Sequence, residues 1–235
     1  MVDEKRPLAK KQFNFPDDEE SMYAEYVKEH KVLFSPKTVD ENNILKISKH
    51  DALIFIGVGV HLKFDSFRKL ALSDEMKRLF QALNYKQPAF FDGQIFQKHA
   101  DHSNRIRQHQ DAYLDVTEPP GTAGTLWFAL TDAPADGGCM EYVPESHINY
   151  PLKKNYLDVD AQSIYTNLPD SAFVKAPVEA GSLLIHHSYT IHRSAKHIKP
   201  GFFRRAATLS FYDKKVAIRK ELPYWHRGDE LVLDY

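Results

Sequence analysis

The chain has 235 residues, 43% of them hydrophobic and 12% aromatic, with 31 Lys+Arg against 32 Asp+Glu. That is apolar material enough for one large core, and the nearly cancelled charge offers no basic stripe for nucleic acid. The lone cysteine, Cys139, excludes an internal disulfide, and no apolar run approaches the roughly 18 residues of a transmembrane helix, the longest being the strand-sized stretch 52–60.

Residues 1–20 are charged, include Asp17-Asp18-Glu19-Glu20 and lack the apolar core of a secretory leader. They are expected to be a mobile segment ahead of a single domain over residues 21–235. Met22, Tyr23, Tyr26, Val27 and His30 then recur at helical spacing. A second helix is marked more clearly. Ser73 can cap it, Asp74 and Glu75 suit its first turn, and Met76, Leu79, Phe80 and Leu83 form one apolar face. From Pro88 the pattern changes to short runs rich in β-branched and aromatic residues: 89–97, 105–113, 124–130, 140–143, 172–177, 182–191 and 204–212. Turn clusters such as Glu118-Pro119-Pro120-Gly121 and Asp136-Gly137-Gly138 separate them. The expected class is mainly β with flanking helices, an antiparallel sandwich or barrel. Residues 148–171 are irregular, polar and rich in Tyr and Asp, and are expected to form a lid. The last residues carry no peroxisomal tripeptide, so a cytoplasmic protein with no membrane partner is expected.

Chemistry concentrates in two places. His109 and Asp111 stand two apart in a strand-like run, which puts an imidazole and a carboxylate on one face. Such a pair is common by chance and needs a second histidine. Residues 182–192 read as one strand in which Leu184, His186, Ser188, Thr190 and His192 share a face. Two His and one carboxylate on one side of a metal leave positions open, the arrangement of non-haem Fe(II) oxygenases. His186 is either a polar wall of the pocket or a buried, hydrogen-bonded histidine; of the 12 His in the chain, His30, His50, His99, His102, His147, His197 and His226 are read as solvated or core-satisfied. Oxoacid binding asks for a buried cation. Arg204 shares parity with Ala206, Thr208 and Ser210, a small polar face, whereas Arg205 shares parity with Ala207, Leu209 and Phe211, an outer-layer face.

An ordered set of motifs carries a resemblance. It runs His109-Gln110-Asp111-Ala112-Tyr113, Leu126-Trp127-Phe128-Ala129-Leu130-Thr131-Asp132, and Gly137-Gly138-Cys139 through Pro144-Glu145-Ser146-His147. Gly181-Ser182-Leu183-Leu184-Ile185-His186, Ile191-His192-Arg193-Ser194 and Arg204-Arg205-Ala206 complete it. Over roughly residues 54–212 the chain resembles the phytanoyl-CoA dioxygenase family, in particular its domain-containing subgroup. The resemblance implies a double-stranded β-helix, the cupin-like jelly roll, with outer helices. It implies Fe(II) held by His109, Asp111 and His192, with 2-oxoglutarate and O2 as co-substrates and a small organic metabolite as substrate. Arg204 would hold the oxoacid, Trp127 would lie beside it and Gln94 would line its site. Glu145 stands where the family's turn carries Gly. The interval from His192 to the arginine is one residue longer than the family's, which keeps Arg205 as the alternative to Arg204. A halogenating relative would need a small residue in place of Asp111, and a non-catalytic metal- or ligand-binding jelly roll is the rival from another class.

Overall fold

In a computed structural model, the structure describes residues 32–42, 44–57, 59–100, 105–150, 152, 167–220 and 230–235. The expected N-terminal segment and helix over residues 1–30, and the centre of the expected lid (153–166), lie outside the described residues. Strand β1 (Val32–Phe34), helix α1 (Lys49–Ala52) and strand β2 (Leu53–Ile56) open the fold. Three short helices follow: α2 (Val60–Lys63), α3 (Asp65–Ala71) and α4 (Asp74–Ala82). As the sequence indicates, Ser73 caps α4, its side chain accepting from the Met76 amide. Leu83 is the residue after the last turn and is exposed rather than part of the buried face.

The remaining chain is strand and loop. It forms β3 (Pro88–His99), β4 (Ile106–His109), β5 (Thr117–Glu118), β6 (Ala123–Ala129) and β7 (Met140–Tyr142). A one-turn helix α5 (Ser146–Asn149) precedes β8 (Val174–Ala176), β9 (Leu183–His187), β10 (His192–Ser194), β11 (Phe203–Asp213), β12 (Ile218–Arg219) and β13 (Leu231–Val232). A major sheet runs β1-β2-β3-β11-β6-β9, with β13 also on β3; a minor sheet runs β4-β10-β7-β8. All the pairings are antiparallel. This is the mainly β architecture with flanking helices that the sequence indicates, in the jelly-roll form that the family resemblance implies.

Strand parity sorts the major sheet into two faces. Leu126, Leu209 and Phe211 pack with Ala71, Met76 and Phe80 of the helices, a layer the dozen-residue β3 joins through Phe90. A one-residue slip in register between Ser210–Asp92 and Phe211–Phe90 lets Phe90 face the helices although Asp92, of the same parity, faces inward. On the other face, Trp127, Ala129 and Ala206 pack against Cys139 and Met140 of the minor sheet's side. The sandwich is therefore closed at one end by apolar contacts, and its inner face carries polar residues elsewhere.

Two strand assignments change. The run 105–113 ends as a strand at His109, and Asp111 opens a 3-10 turn, Asp111–Tyr113. Gln110 is still extended (φ −119°, ψ 130°), so the pleat carries His109 and Asp111 to one side even though the ladder has stopped. Residues 182–192 are two strands rather than one: β9 belongs to the major sheet and β10 to the minor sheet. His186 and His192 thus meet from opposed sheets. Their common parity along one strand is not the reason they converge.

Candidate metal centre and co-substrate site

The inner face of the major sheet is a ladder of rows. Register places Asp92, Ser210, Thr125 and His186 side by side across four strands. The next row is Gln94, Thr208, Trp127 and Leu184; then come Phe96, Ala206 and Ala129, and finally Lys98 and Arg204. From polar, through amide and indole, to the guanidinium of Arg204, members of each row line one wall of a cavity of about 120 Å³. His109 and His192 line it from the minor sheet, where they are register partners on β4 and β10. At about 10–15 Å³ per water, it holds on the order of ten water-sized groups, room for a small organic acid.

His109, Asp111 and His192 are the one group of His, Cys, Asp or Glu among the described residues whose donor atoms converge, all within 4.8 Å of one another. Asp111 Oδ1 lies 3.4 Å from His109 Nε2 and 3.5 Å from His192 Nε2. Each imidazole is fixed from behind. His109 Nδ1 donates to the Arg107 carbonyl at 2.8 Å, and His192 Nδ1 donates to the Thr190 carbonyl at 2.9 Å. A carbonyl can only accept, so each ring in its neutral form carries its proton on Nδ1 and turns the Nε2 lone pair inward. Two nitrogen lone pairs and an anionic oxygen then face one another, a set that a cation satisfies.

The electrostatics agree. Burial drives His192 down to about 3, against the pull of Asp111, so it is neutral across the working range. For His109 burial also acts downward, but hydrogen bonding and attraction from Asp111 outweigh it and its pKa rises. Burial would lift the Asp111 carboxyl, yet His192, His109 and His186 hold it well below the usual range. The donor set therefore fits a divalent metal with N and O ligands and open positions.

At the far row, Arg204 is 1% exposed. Its Nε donates to the Gly138 carbonyl at 3.2 Å and its guanidinium lies 5.5 Å from the Trp127 ring centre, with Ser194 Oγ at 3.5 Å from Nη2. No carboxylate among the described residues pairs with it, and burial lowers its pKa to about 10. Arg205 points the other way, into Gln97 at 2.7 Å and His50 at 2.8 Å, and its Cζ lies 5.0 Å from the Phe203 ring. Of the two arginines, Arg204 is the one that lines the cavity. Trp127 and Gln94 line it too; the Gln94 amide is held by Asp92, Nε2 donating to Oδ2 at 2.7 Å.

Further residues support the site, and of these the sequence assigns no role to Ser146, Thr125 or Arg193. Ser146 is fully buried, donates to the Val143 carbonyl at 2.7 Å and accepts from the Ile191 amide at 2.9 Å, which seats the residue just before His192. Thr125 donates to Asp111 Oδ2 at 2.7 Å. His186 is both of its sequence readings at once, a wall of the cavity and a buried, hydrogen-bonded ring. Arg193, next to His192, anchors Glu141 at 2.6 Å and Asp170 at 2.5 Å and lies over Phe173 at 3.9 Å, tying the return of the chain at residue 170 to the minor sheet.

A family model described as "Phytanoyl-CoA dioxygenase (PhyH)" matches residues 16–206. "Phytanoyl-CoA dioxygenase 1" of Oryza sativa subsp. japonica is 28% identical over 184 residues, covering 77% of this chain and 64% of that protein. "Phytanoyl-CoA dioxygenase domain-containing protein 1" of Danio rerio is 26% identical over 170 residues, covering 69% of this chain and 58% of that protein. The chain spans about six tenths of the length of these curated relatives. Among solved structures, the non-heme alpha ketoglutarate dependent carbocyclase SnoK from nogalamycin biosynthesis superposes with a TM-score of 0.62 at 19% identity, covering 97% of this chain and 100% of that one. The epimerase SnoN, in complex with Fe3+, alpha ketoglutarate and nogalamycin RO, gives a TM-score of 0.62 at 20% identity, covering 88% of this chain and 83% of that one. At such identities the two structures share the fold.

Proposed function

The chain belongs to the phytanoyl-CoA dioxygenase family, and from that premise we propose that it is an Fe(II)- and 2-oxoglutarate-dependent oxygenase acting on a small organic metabolite. His109, Asp111 and His192 would hold the metal, Arg204 the distal carboxylate of the oxoacid, and Trp127 and Gln94 would line its slot. The observation that carries this reading is Arg204: a buried cation with no acidic partner among the described residues, lining the same cavity as the converged His-Asp-His set. A lone buried charge is costly, and a protein keeps one where a ligand of opposite sign completes it.

When bound, the metal and oxoacid supply the oxidising chemistry. The chain's own share is positional. In their neutral forms His109 and His192 present Nε2 lone pairs, because their Nδ1 protons are committed to backbone carbonyls. Arg204 offers a planar fork suited to a carboxylate, stacked near Trp127. Trp127, Met140 and Phe96 keep water from that end of the slot. Asp111 supplies a carboxylate where a halogenating enzyme would need a small residue, which favours hydroxylation or a related C–H oxidation. The solved structures of this fold include an epimerase and a carbocyclase, so the fold is compatible with more than one fate of the oxidised carbon.

Candidate metabolites are to be screened with Fe(II), 2-oxoglutarate and O2, reading succinate formation. A substrate should raise succinate yield in wild type and not in His192→Ala. A protein that binds metal and oxoacid yet forms no succinate with any substrate class would be a binding jelly roll instead.

A further inference from the structure

Of the three ligand candidates, Asp111 is the one outside a strand, its carbonyl accepting from the Leu114 and Asp115 amides. It opens a 3-10 turn beyond the end of β4, outside any strand ladder, and the terminal torsion of an aspartate is intrinsically broad. Yet its two oxygens are sharply distinguished. Oδ1 faces the two Nε2 atoms, while Oδ2 accepts from Thr125 Oγ1 at 2.7 Å and lies 3.1 Å from His186 Nε2. On the metal-site reading above, we propose that His186, set by Tyr142 and acting with Thr125, is a positioning residue that restricts Asp111 to one metal-facing oxygen.

The hydrogen-bond directions follow from chemistry. The Asp111 carboxylate can only accept, so His186 donates from Nε2 and its Nδ1 is left with a lone pair. Tyr142 Oη stands 3.3 Å from that Nδ1 and is the donor it needs. The relay therefore runs Tyr142 O–H to His186 Nδ1, then His186 Nε2–H to Asp111 Oδ2. Both donors to Asp111 come from one row of the major sheet, since Thr125 and His186 are direct register partners on β6 and β9. Tyr142 comes from the minor sheet, opposite His192 itself. The relay thus links the row that orients one ligand to the strand beside another, across the gap between the sheets. His186 donor atoms do not join the converged group, so it acts through Asp111.

With Oδ2 occupied twice, Asp111 would offer a metal one oxygen. Freed from these donors, the carboxylate would be able to turn and offer both. Hydrogen-bonded partners of this kind change metal affinity by about 10–100-fold.

The test titrates metal-free protein with Co(II), whose visible absorption weakens as coordination number rises to six. Wild type is compared with His186→Ala, His186→Gln, Thr125→Val and Tyr142→Phe. The expected result is a loss of roughly 10–100-fold in Co(II) affinity with a changed spectrum for His186→Ala and Thr125→Val. Tyr142→Phe should show a smaller change in the same direction. His186→Gln, which keeps an N–H at similar reach, should restore the wild-type spectrum. Wild-type affinity and spectrum in His186→Ala would overturn the inference, as would identical losses in the Ala and Gln variants. Should His186→Ala not fold, the near-isosteric Thr125→Val and Tyr142→Phe decide it, and indifference of both overturns it. Failure of wild type to take up Co(II) would overturn the metal site itself and this inference with it.

Discussion

Replacing Arg204 with Met separates the cost of a buried charge from the use made of it. Burial takes the guanidinium from 12.5 to about 10, which corresponds to about 3 kcal/mol of desolvation left uncompensated by any described carboxylate. The metal-free Arg204→Met protein should therefore be as stable as wild type or more so, because an apolar side chain of similar length removes that cost. Affinity for 2-oxoglutarate should move the other way. A charge-assisted contact contributes about 1.5–3 kcal/mol, or roughly 10–150-fold in Kd. Arg205→Met supplies the contrast. It loses the contacts to Gln97 and His50 that pin α1 to β3, so it should lower Tm and leave oxoacid affinity unchanged. The assay is calorimetric titration of 2-oxoglutarate into anaerobic, Mn(II)-loaded protein, with thermal melts of the metal-free forms alongside. An Arg204→Met protein that binds the oxoacid within twofold of wild type, or a larger loss in Arg205→Met, would refute the reasoning.

Alanine at His109, Asp111 or His192 should each reduce bound metal, measured by elemental analysis after dialysis, by at least about tenfold, with the circular dichroism of a folded protein retained. The pH dependence has a definite sign: His109 is raised in the fold, so its stabilisation of the metal-free protein is present below its ordinary range and lost as pH rises through its folded value. Metal uptake needs the same Nε2 unprotonated, so metal affinity should fall by about tenfold per pH unit below that value, while His192, held at about 3, adds nothing; a flat Kd between pH 5.5 and 7.5, roughly the window around the ordinary histidine range, would contradict this. Glu145 adopts a left-handed conformation (φ 56°), which costs a side-chain-bearing residue about 1–2 kcal/mol, partly offset by the entropy a glycine loses. Glu145→Gly should therefore raise Tm by about 1–3 °C in a thermal melt.

Much of this site was readable because parity on β11 is chemically explicit. Alternate residues from Arg204 are small or polar and those from Arg205 are apolar, and the helices cover the second set. The capped helix at Ser73 was equally plain, because capping is local. Failures came where the cause is tertiary. Residues 182–192 contain Ser188, Tyr189, Thr190 and Ile191, a strand-like composition with no Gly or Pro to mark the turn, so the crossing from β9 to β10 left no local trace. The hydrogen bonding of His186 depends on an aspartate 75 residues earlier, and that of Ser146 on an amide 45 residues later. Glu145 was visible as a departure from a family pattern, and the backbone gives it a physical meaning, the turn in which glycine would sit without strain.

The most direct test of the central claim needs no substrate. Fe(II) is added to the metal-free protein under anaerobic conditions, followed by 2-oxoglutarate, and the visible spectrum is recorded. Chelation of Fe(II) by a 2-oxo acid in a protein site produces a charge-transfer absorption. The band should appear and saturate with one equivalent of oxoacid bound, be absent in Asp111→Ala, and require about 10–150-fold more oxoacid in Arg204→Met. A wild-type protein that binds Fe(II) and shows no such band at saturating 2-oxoglutarate would contradict the claim.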